Sequence, residues 1–255
     1  MVQLAEISWT EAEKILKEND VVLLPVGSTE QHGPHNPLGT DYLVAGAFTK
    51  SVGDRTGCLV LPTIPIGVSV HHRKFPGTLW VEPSLLTDYV VSICLSMASH
   101  GATKFLLMNG HGGNSNALMD ASGVLRRDYD LFGAEIFAMP PGPDGHAGDL
   151  ETSLNLYYHP ELVDMSRAVD QVQNENLGPF KIDGYSQIGP AKFANDTADL
   201  SESGVLGRAG RTIYATRATA ENARVKLEPF LDDVCEFVEK LKKADLKDLG
   251  CKPHK

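Results

Sequence analysis

The sequence predicts an α/β protein built on a mostly parallel sheet. Apolar, β-rich runs begin at Val21, Lys104 and Glu135, and each is followed by a loop and then by a stretch with helical character. Each of the three loops carries ionisable side chains. In an open parallel sheet the carboxyl ends of the strands lie along one edge, so these side chains can face one crevice. With 255 residues and 42% apolar content, the chain reads as one globular domain, 1–255, with a sizeable core.

Taken in order, residues 7–19 place Ser8 or Thr10 ahead of acidic residues and a helical pattern, an N-capped helix. The strand at 21–26 runs into Gly-Ser-Thr-Glu-Gln-His-Gly-Pro-His-Asn-Pro-Leu-Gly-Thr-Asp, a loop carrying Glu30, His32, His35 and Asp41. Residues 42–52, rich in Ala, Leu, Val and Phe, read as a buried helix. A second apolar strand over 59–67 is broken by Pro62 and Pro65. The loop at 68–78, with His71 and His72, lies over one end of the sheet, and Trp80 stands just beyond it. A helix follows over 83–100, ending near Gly101.

The next strand ends at Asn109 in Asn-Gly-His-Gly-Gly-Asn. His111 stands at the strand's end, and Gly112 and Gly113 permit a tight turn into a helix over 117–127. Free N–H groups at such a helix start suit a carbonyl oxygen or an oxyanion, although the same pattern also marks ordinary strand-to-helix turns. The strand at 135–139 leads to His146, and Gly148 or Asp149 opens a helix with Glu151 in its first turn. An acid there complements the helix dipole, and nearby His146 adds a ligand reading. Residues 174–195 read as irregular, an inter-subunit or lid segment, and 203–208 as a turn that could close the site. A C-terminal amphipathic helix spans 218–244, with Val225, Leu227, Phe230, Leu231, Val234, Phe237, Val238 and Leu241 as its packing stripe.

Composition excludes some functions. A net charge of −10 without clustered Lys and Arg argues against nucleic acid. The absence of an 18-residue apolar run or a signal region argues against a membrane and for a cytoplasmic protein. Cys58, Cys94, Cys235 and Cys251 lack CxxC spacing and read as buried or incidental thiols.

Glu30 and His32 are two apart, so an extended segment sends both to one face, and the two oxygens of Asp41 can bridge two ions. With His111 and Glu151 the set is two histidines and three carboxylates, suited to two divalent ions of borderline hardness, Zn, Mn, Fe or Co. A hydroxide between two such ions is a nucleophile at neutral pH while one ion polarises a carbonyl, which leads to hydrolysis of an amide or similar bond.

Three segments carry a family resemblance: the glycine-rich loop after the first strand, Asn109 to Asn114, and His-Ala-Gly-Asp-Leu-Glu-Thr-Ser from His146. Together they resemble the creatininase (creatinine amidohydrolase) family over roughly residues 20 to 170. Phe-Pro-Gly-Thr from Phe75 also fits. The resemblance implies a three-layer α/β/α sandwich, a dinuclear metal site with Zn first and Mn or Fe as alternatives, and hydrolysis of a non-peptide C–N bond in a small-molecule amide, cyclic amide or formamide. It also implies a homo-oligomer, often a hexamer. Glu30, Asp41 and His111 would hold one ion, and His32, Asp41 and a further carboxylate the other. Creatininase proper takes that carboxylate from the turn where this chain has Gly113. Glu151 is therefore the replacement ligand, and His146 passes a proton to the leaving nitrogen. His72, Trp80, Gly112, Gly113 and Asn114 are expected to contact substrate. A hydrolase or isomerase of a cyclic keto-sugar, and a metal-stabilised binding protein without turnover, stand as the alternatives.

Overall fold

Six consecutive buried residues, Val21–Val26, form β1, a strand apolar on both faces, as a parallel strand covered by helices on each side requires. The computed structural model describes residues 3–142, 145–183, 186–207 and 211–249. Before β1 lies α1, Trp9–Glu18, capped by Ser8 in a reciprocal capping box with Glu11, which settles the cap on Ser8 rather than Thr10. After it come α2, Thr40–Thr56, β2, Leu59–Val60, α3, Pro83–Ala98, and β3, Lys104–Asn109. α4, Ser115–Tyr129, β4, Phe132–Phe137, and α5, Asp149–Tyr158, complete this half.

The four strands form one parallel sheet in the order β2-β1-β3-β4, with Val26 opposite Asn109 and Asn109 opposite Phe137. Alternation along each strand splits the core. Val22, Leu24, Phe105 and Leu107 pack against Leu16, Leu86, Val90 and Leu118 from α1, α3 and α4. Val21, Leu23, Leu106 and Met108 pack against Phe48 and Leu154, and against Leu227 and Leu231 of the C-terminal helix. The result is the three-layer α/β/α sandwich, with the carboxyl ends of all four parallel strands at one edge.

Residues 174–195, expected to be irregular, fold into strands. β5, Gln171–Val172, is followed by an antiparallel meander of β6, Asn176–Leu177, β7, Phe180–Asp183, β8, Gln187–Ile188, and β9, Ala191–Lys192. Gly189 supplies a positive φ of 51° at one of its turns. The strands are too short and too polar to announce themselves by alternation. Then come α6, Thr197–Leu200, β10, Thr212–Ile213, paired with β5, and α7, Ala220–Lys243. Pro229 sits inside α7 without displacing its start. The buried stripe is Leu227, Leu231, Val234, Val238 and Leu241, while Val225 and Phe237 are exposed. Cys58 and Cys94 are buried and Cys235 half-buried; Cys251 and Arg208 lie outside the described residues.

Two glycines set where α2 begins. A Cβ on Gly27 would lie 2.3 Å from the backbone N and Cα of Tyr42, and one on Gly110 would lie 2.3 Å from the Asp41 carbonyl oxygen. The first turn of α2 is therefore wedged against the ends of β1 and β3, which pushes Asp41 into the strand-end crevice. Gly27→Ala should force α2 away and lower stability by about 3 kcal/mol, the upper end for overpacking. Urea unfolding that finds this variant unchanged would show that the contact is not tight.

Candidate metal centre

Each charged side chain of the crevice is delivered by a strand end or a helix start. Glu30 and His32 lie in the loop after β1, where the Glu30 N–H donates to the Leu38 carbonyl at 2.8 Å and Thr29 bridges to Leu79. Asp41 is in the first turn of α2 and Glu151 in the first turn of α5. His111 follows β3, its N–H donating to Asn109 Oδ1 at 2.9 Å. The sequence expectation that the three loops converge is met.

Asp41 occupies the middle. Its Oδ1 is 3.0 Å from His32 Nε2, and its Oδ2 is 3.2 Å from His111 Nδ1. Glu30 Oε2 also lies 3.2 Å from His111 Nδ1, and Glu151 Oε2 lies 3.7 Å from His32 Nε2. Glu30, Asp41 and His111 thus form one group of ligand atoms, and His32, Asp41 and Glu151 a second, each within 4.8 Å. A third group, Glu30, His32 and His146, meets the same limit.

These residues fit metal ions. Both Glu30 carboxylate oxygens, His32 Nε2 and Asp41 Oδ2 are buried, and none makes an aligned hydrogen bond. Buried acceptors in this state are costly unless a cation satisfies them. Without one, the cluster strains its own titration. Burial and the Asp41 charge hold the Glu30 carboxyl well above the usual range, and burial pushes Glu151 up to about 7. Burial opposes the His32 charge, but Asp41, Glu151 and Glu30 outweigh it and raise the imidazole to about 9. Asp41 is also penalised by burial, yet His32 and His111 keep it well below the carboxylate norm.

Gly113 leaves no room for another ligand. A Cβ there would lie 2.2 Å from the Val68 carbonyl oxygen and 2.4 Å from His111 Nε2. The carboxylate of the second group comes instead from Glu151, whose Oε2 accepts the Ala147 N–H at 2.6 Å. Ala147 has φ of 56°, a left-handed conformation unusual for alanine, and this turn links His146 to Glu151.

His146 is held by main chain. Its N–H pairs with the Leu206 carbonyl, and its Nε2 lies 2.7 Å from the Gln31 carbonyl oxygen. An Nε2–H donated to that oxygen leaves Nδ1 free of its proton, 3.8 Å from Glu30 Oε1 and 3.9 Å from Glu151 Oε2. Burial and the neighbouring His32 charge keep the ring neutral. Segment 203–207 closes this side of the crevice through the Leu206 pairing, so it is more than the turn it resembled in sequence.

The other expected contact residues divide. His72 lines the cleft although only 2% exposed, with Nε2 at 3.2 Å from Glu30 Oε1 and Nδ1 at 3.0 Å from Thr197 Oγ1. Burial drives its pKa far down. Gly112 and Gly113 line the cleft, but Trp80 and Asn114 do not. Trp80 is 42% exposed on a segment pinned by bonds of Leu79 to Thr29 and Val81 to Gly67. Asn114 is fully buried, accepting the Val68 N–H and donating to the Gly27 carbonyl, so it fastens the β1 and β3 ends together. His35 faces α5, with Nε2 at 2.9 Å from Thr152 Oγ1, and lies outside all three ligand groups.

Two contributors are absent from the sequence expectations. The Gln31 side-chain nitrogen donates to His72 Nδ1 at 2.9 Å and to the Gly204 carbonyl at 3.1 Å, while the Gln31 main-chain carbonyl takes the His146 Nε2–H. Its position between Glu30 and His32 was the available signal, since alternation sends it to the opposite face. Glu135 Oε1 accepts from Asn109 and Ser115, at 2.6 and 2.7 Å, and so braces the turn that carries His111. The cleft beside these groups has a volume of about 1000 Å³.

The family model described as creatinine amidohydrolase matches residues 5–238. The mycofactocin precursor peptide peptidase of Mycolicibacterium smegmatis is 34% identical over 217 residues, 82% of this chain and 80% of that protein. The creatinine amidohydrolase of Pseudomonas putida is 34% identical over 198 residues, 66% of this chain and 76% of its own. A solved manganese form of creatininase superposes with a TM-score of 0.79 at 28% identity, covering 95% of this chain and 99% of that one, and a Zn-Zn form of a mutant scores 0.78. The fold, the convergent ligand groups and these matches agree: the chain belongs to the creatininase family.

Proposed function

We propose that this chain is a dinuclear metal-dependent hydrolase that breaks a C–N amide bond with water. The observation that carries the reading is the division of Asp41, one oxygen toward His32 and Glu151 and the other toward His111 and Glu30. That division is what a carboxylate shared by two ions requires. Glu30, Asp41 and His111 would hold one ion, and His32, Asp41 and Glu151 the other. Three carboxylates match the charge of two divalent cations better than one. Zinc suits the mixed nitrogen and oxygen donors, and manganese or iron fits the same set; the manganese and zinc forms of solved relatives support that choice. Bound there, such ions supply Lewis acidity, lowering the pKa of a water and polarising a carbonyl.

The chain's own residues do the rest. Gly112 and Gly113 line the cleft just before α4, and their N–H groups can orient a carbonyl oxygen. His146 Nδ1, left unprotonated by the Gln31 contact, takes a proton from the attacking water and returns it to the leaving nitrogen. The carbonyl carbon gains oxygen, the C–N bond breaks, and the nitrogen leaves as an amine. Relatives named for creatinine and for a precursor peptide share this bond type, and the reading takes that shared bond. Exposed Trp9, Leu85, Tyr89 and Met119 support a homo-oligomer, which we take as a hexamer. No helix among the described residues is long and apolar enough to cross a membrane.

Incubation of zinc- or manganese-loaded protein with creatinine, N-formyl amines and short peptides should release an amine or formate, and chelation should abolish it. Turnover of a cyclic keto-sugar with no nitrogen released would overturn the amide assignment. His146→Ala should lower kcat by about 10²- to 10⁴-fold while retaining both ions; unchanged kcat would remove the proton role. Metal binding must also expel protons, because His32 at about 9 and Glu151 at about 7 are protonated or partly so at neutral pH. Calorimetry at pH 7 in buffers of different ionisation enthalpy should report about one to two protons released per chain, with affinity rising as pH climbs from 7 to 9. An enthalpy independent of buffer would contradict this ligand set.

A further inference from the structure

The fourth strand is the edge of the sheet and it borders the cleft. Its parallel register with β3, with Phe132 N–H donating to Thr103 and Ala138 N–H to Asn109, turns the main-chain groups of residues 132, 134 and 136 inward. Those of Gly133, Glu135 and Phe137 therefore face outward. The Gly133 carbonyl accepts Ser122 Oγ at 2.5 Å. The main-chain N–H and C=O of Glu135 and Phe137 have no partner among the described residues. Glu135, Ile136, Phe137 and Met139 line the same cleft as His111 and Glu151.

Resting on the hydrolase reading above, we propose that the outward main-chain edge of β4 at Glu135 and Phe137 is a rail on which an extended peptide substrate pairs as an added strand, its scissile amide reaching the His111–Glu151 centre. Phe137 stands opposite Asn109, two residues before His111, so a chain lying along the rail runs into the centre. The cleft, about 1000 Å³, is at the upper end for small-molecule pockets and far larger than a single cyclic amide needs. Phe230 from α7, Pro140, Gly112 and Gly113 line the same cleft as this edge. The occupant is an extended peptide, because the outward edge runs along the same cleft that holds His111 and Glu151. Main-chain pairing supplies affinity with little demand on side chains, as in other strand additions.

The chemistry is balanced by water alone. The water oxygen bonds to the peptide carbonyl carbon, the C–N bond breaks, both water protons end on the leaving nitrogen, and the products are a carboxylate and an ammonium. The substrate class proposed for the rail is a linear peptide, where the sequence expectation is a non-peptide C–N bond.

The test uses the metal-loaded full chain and a pool of unstructured hexapeptides, with cleavage sites mapped by mass spectrometry. The best-cleaved peptide is then remade with one N-methyl amide at each position away from the scissile bond. The rail predicts at least a tenfold loss of kcat/KM at positions two residues apart, with the intervening position tolerant, because alternate residues face β4. Uncleaved peptide bound to the Glu151→Gln chain should slow hydrogen exchange at the Glu135 and Phe137 amides while leaving Ala134 and Ile136, already in the ladder, unchanged. Phe137→Pro removes one outward N–H without touching the β3 pairing and should lower peptide kcat/KM beyond Phe137→Ala. Equal sensitivity at every methylated position, or none, overturns the rail. So does a Phe137→Pro chain that changes oligomeric state but cleaves peptide as Phe137→Ala does, since a second copy would then own the edge. Hydrolysis of creatinine or N-formyl amines with no peptide cleaved overturns the rail and leaves the hydrolase reading standing; no amide cleaved at all overturns that reading and the rail with it.

Discussion

A buried carboxylate between two imidazoles is the constraint on which the crevice depends. Asp41 is 3% exposed and reaches His32 with one oxygen and His111 with the other. An isolated charge in such a place is costly, and the two histidines hold it ionised against that cost. Glu30 and Glu151 surround the same point, and burial first, with the Asp41 charge added, pushes both toward protonation. The cluster thus gathers buried carboxylate oxygens and an imidazole nitrogen that a bound cation would satisfy.

The fold keeps Asp41 there by exclusion of side chains. Gly27 and Gly110 end the central strands without a Cβ, so the first turn of α2 can seat against both. Asn114 fastens the same strand ends by bonds to the Gly27 carbonyl and the Val68 N–H. A second bracing layer stands behind the ligands: Gln31 joins His72, His146 and the Gly204 carbonyl, and Glu135 holds the Asn109 turn. Arg73 and Lys74 pair with Asp196 at 2.8 and 3.2 Å, tying the His72 loop to α6. The meander half of the chain therefore contributes a wall to a centre whose ligands it does not supply.

Much of this was readable from residue order. Strand-loop-helix repeats announce a parallel sheet, and a parallel sheet gathers its loops at one edge, so Glu30, His32, Asp41, His111 and Glu151 could be brought together on paper. The sequence could not say which way a loop residue turns. Asn114 carries a polar group that suits a substrate, but the fold turns it inward onto main chain, whereas His72 stays on the cleft wall with its Nε2 toward Glu30. Trp80 lies off the cleft because its neighbours pair with Thr29 and Gly67. The meander escaped notice because strands of two to four residues show no measurable alternation. The open edge of β4 was hidden for a different reason: edge or centre is decided by strand order, which residue patterns do not encode.

The measurement that bears most directly on the bridging carboxylate is metal content after zinc repletion and removal of excess, for the intact chain, Glu151→Gln and Asp41→Asn, each with unchanged circular dichroism. A bridging Asp41 predicts two ions in the intact chain, about one in Glu151→Gln, and less than one in Asp41→Asn. An Asp41→Asn chain that still holds both ions, or an intact chain that holds none, would contradict a centre built on that carboxylate.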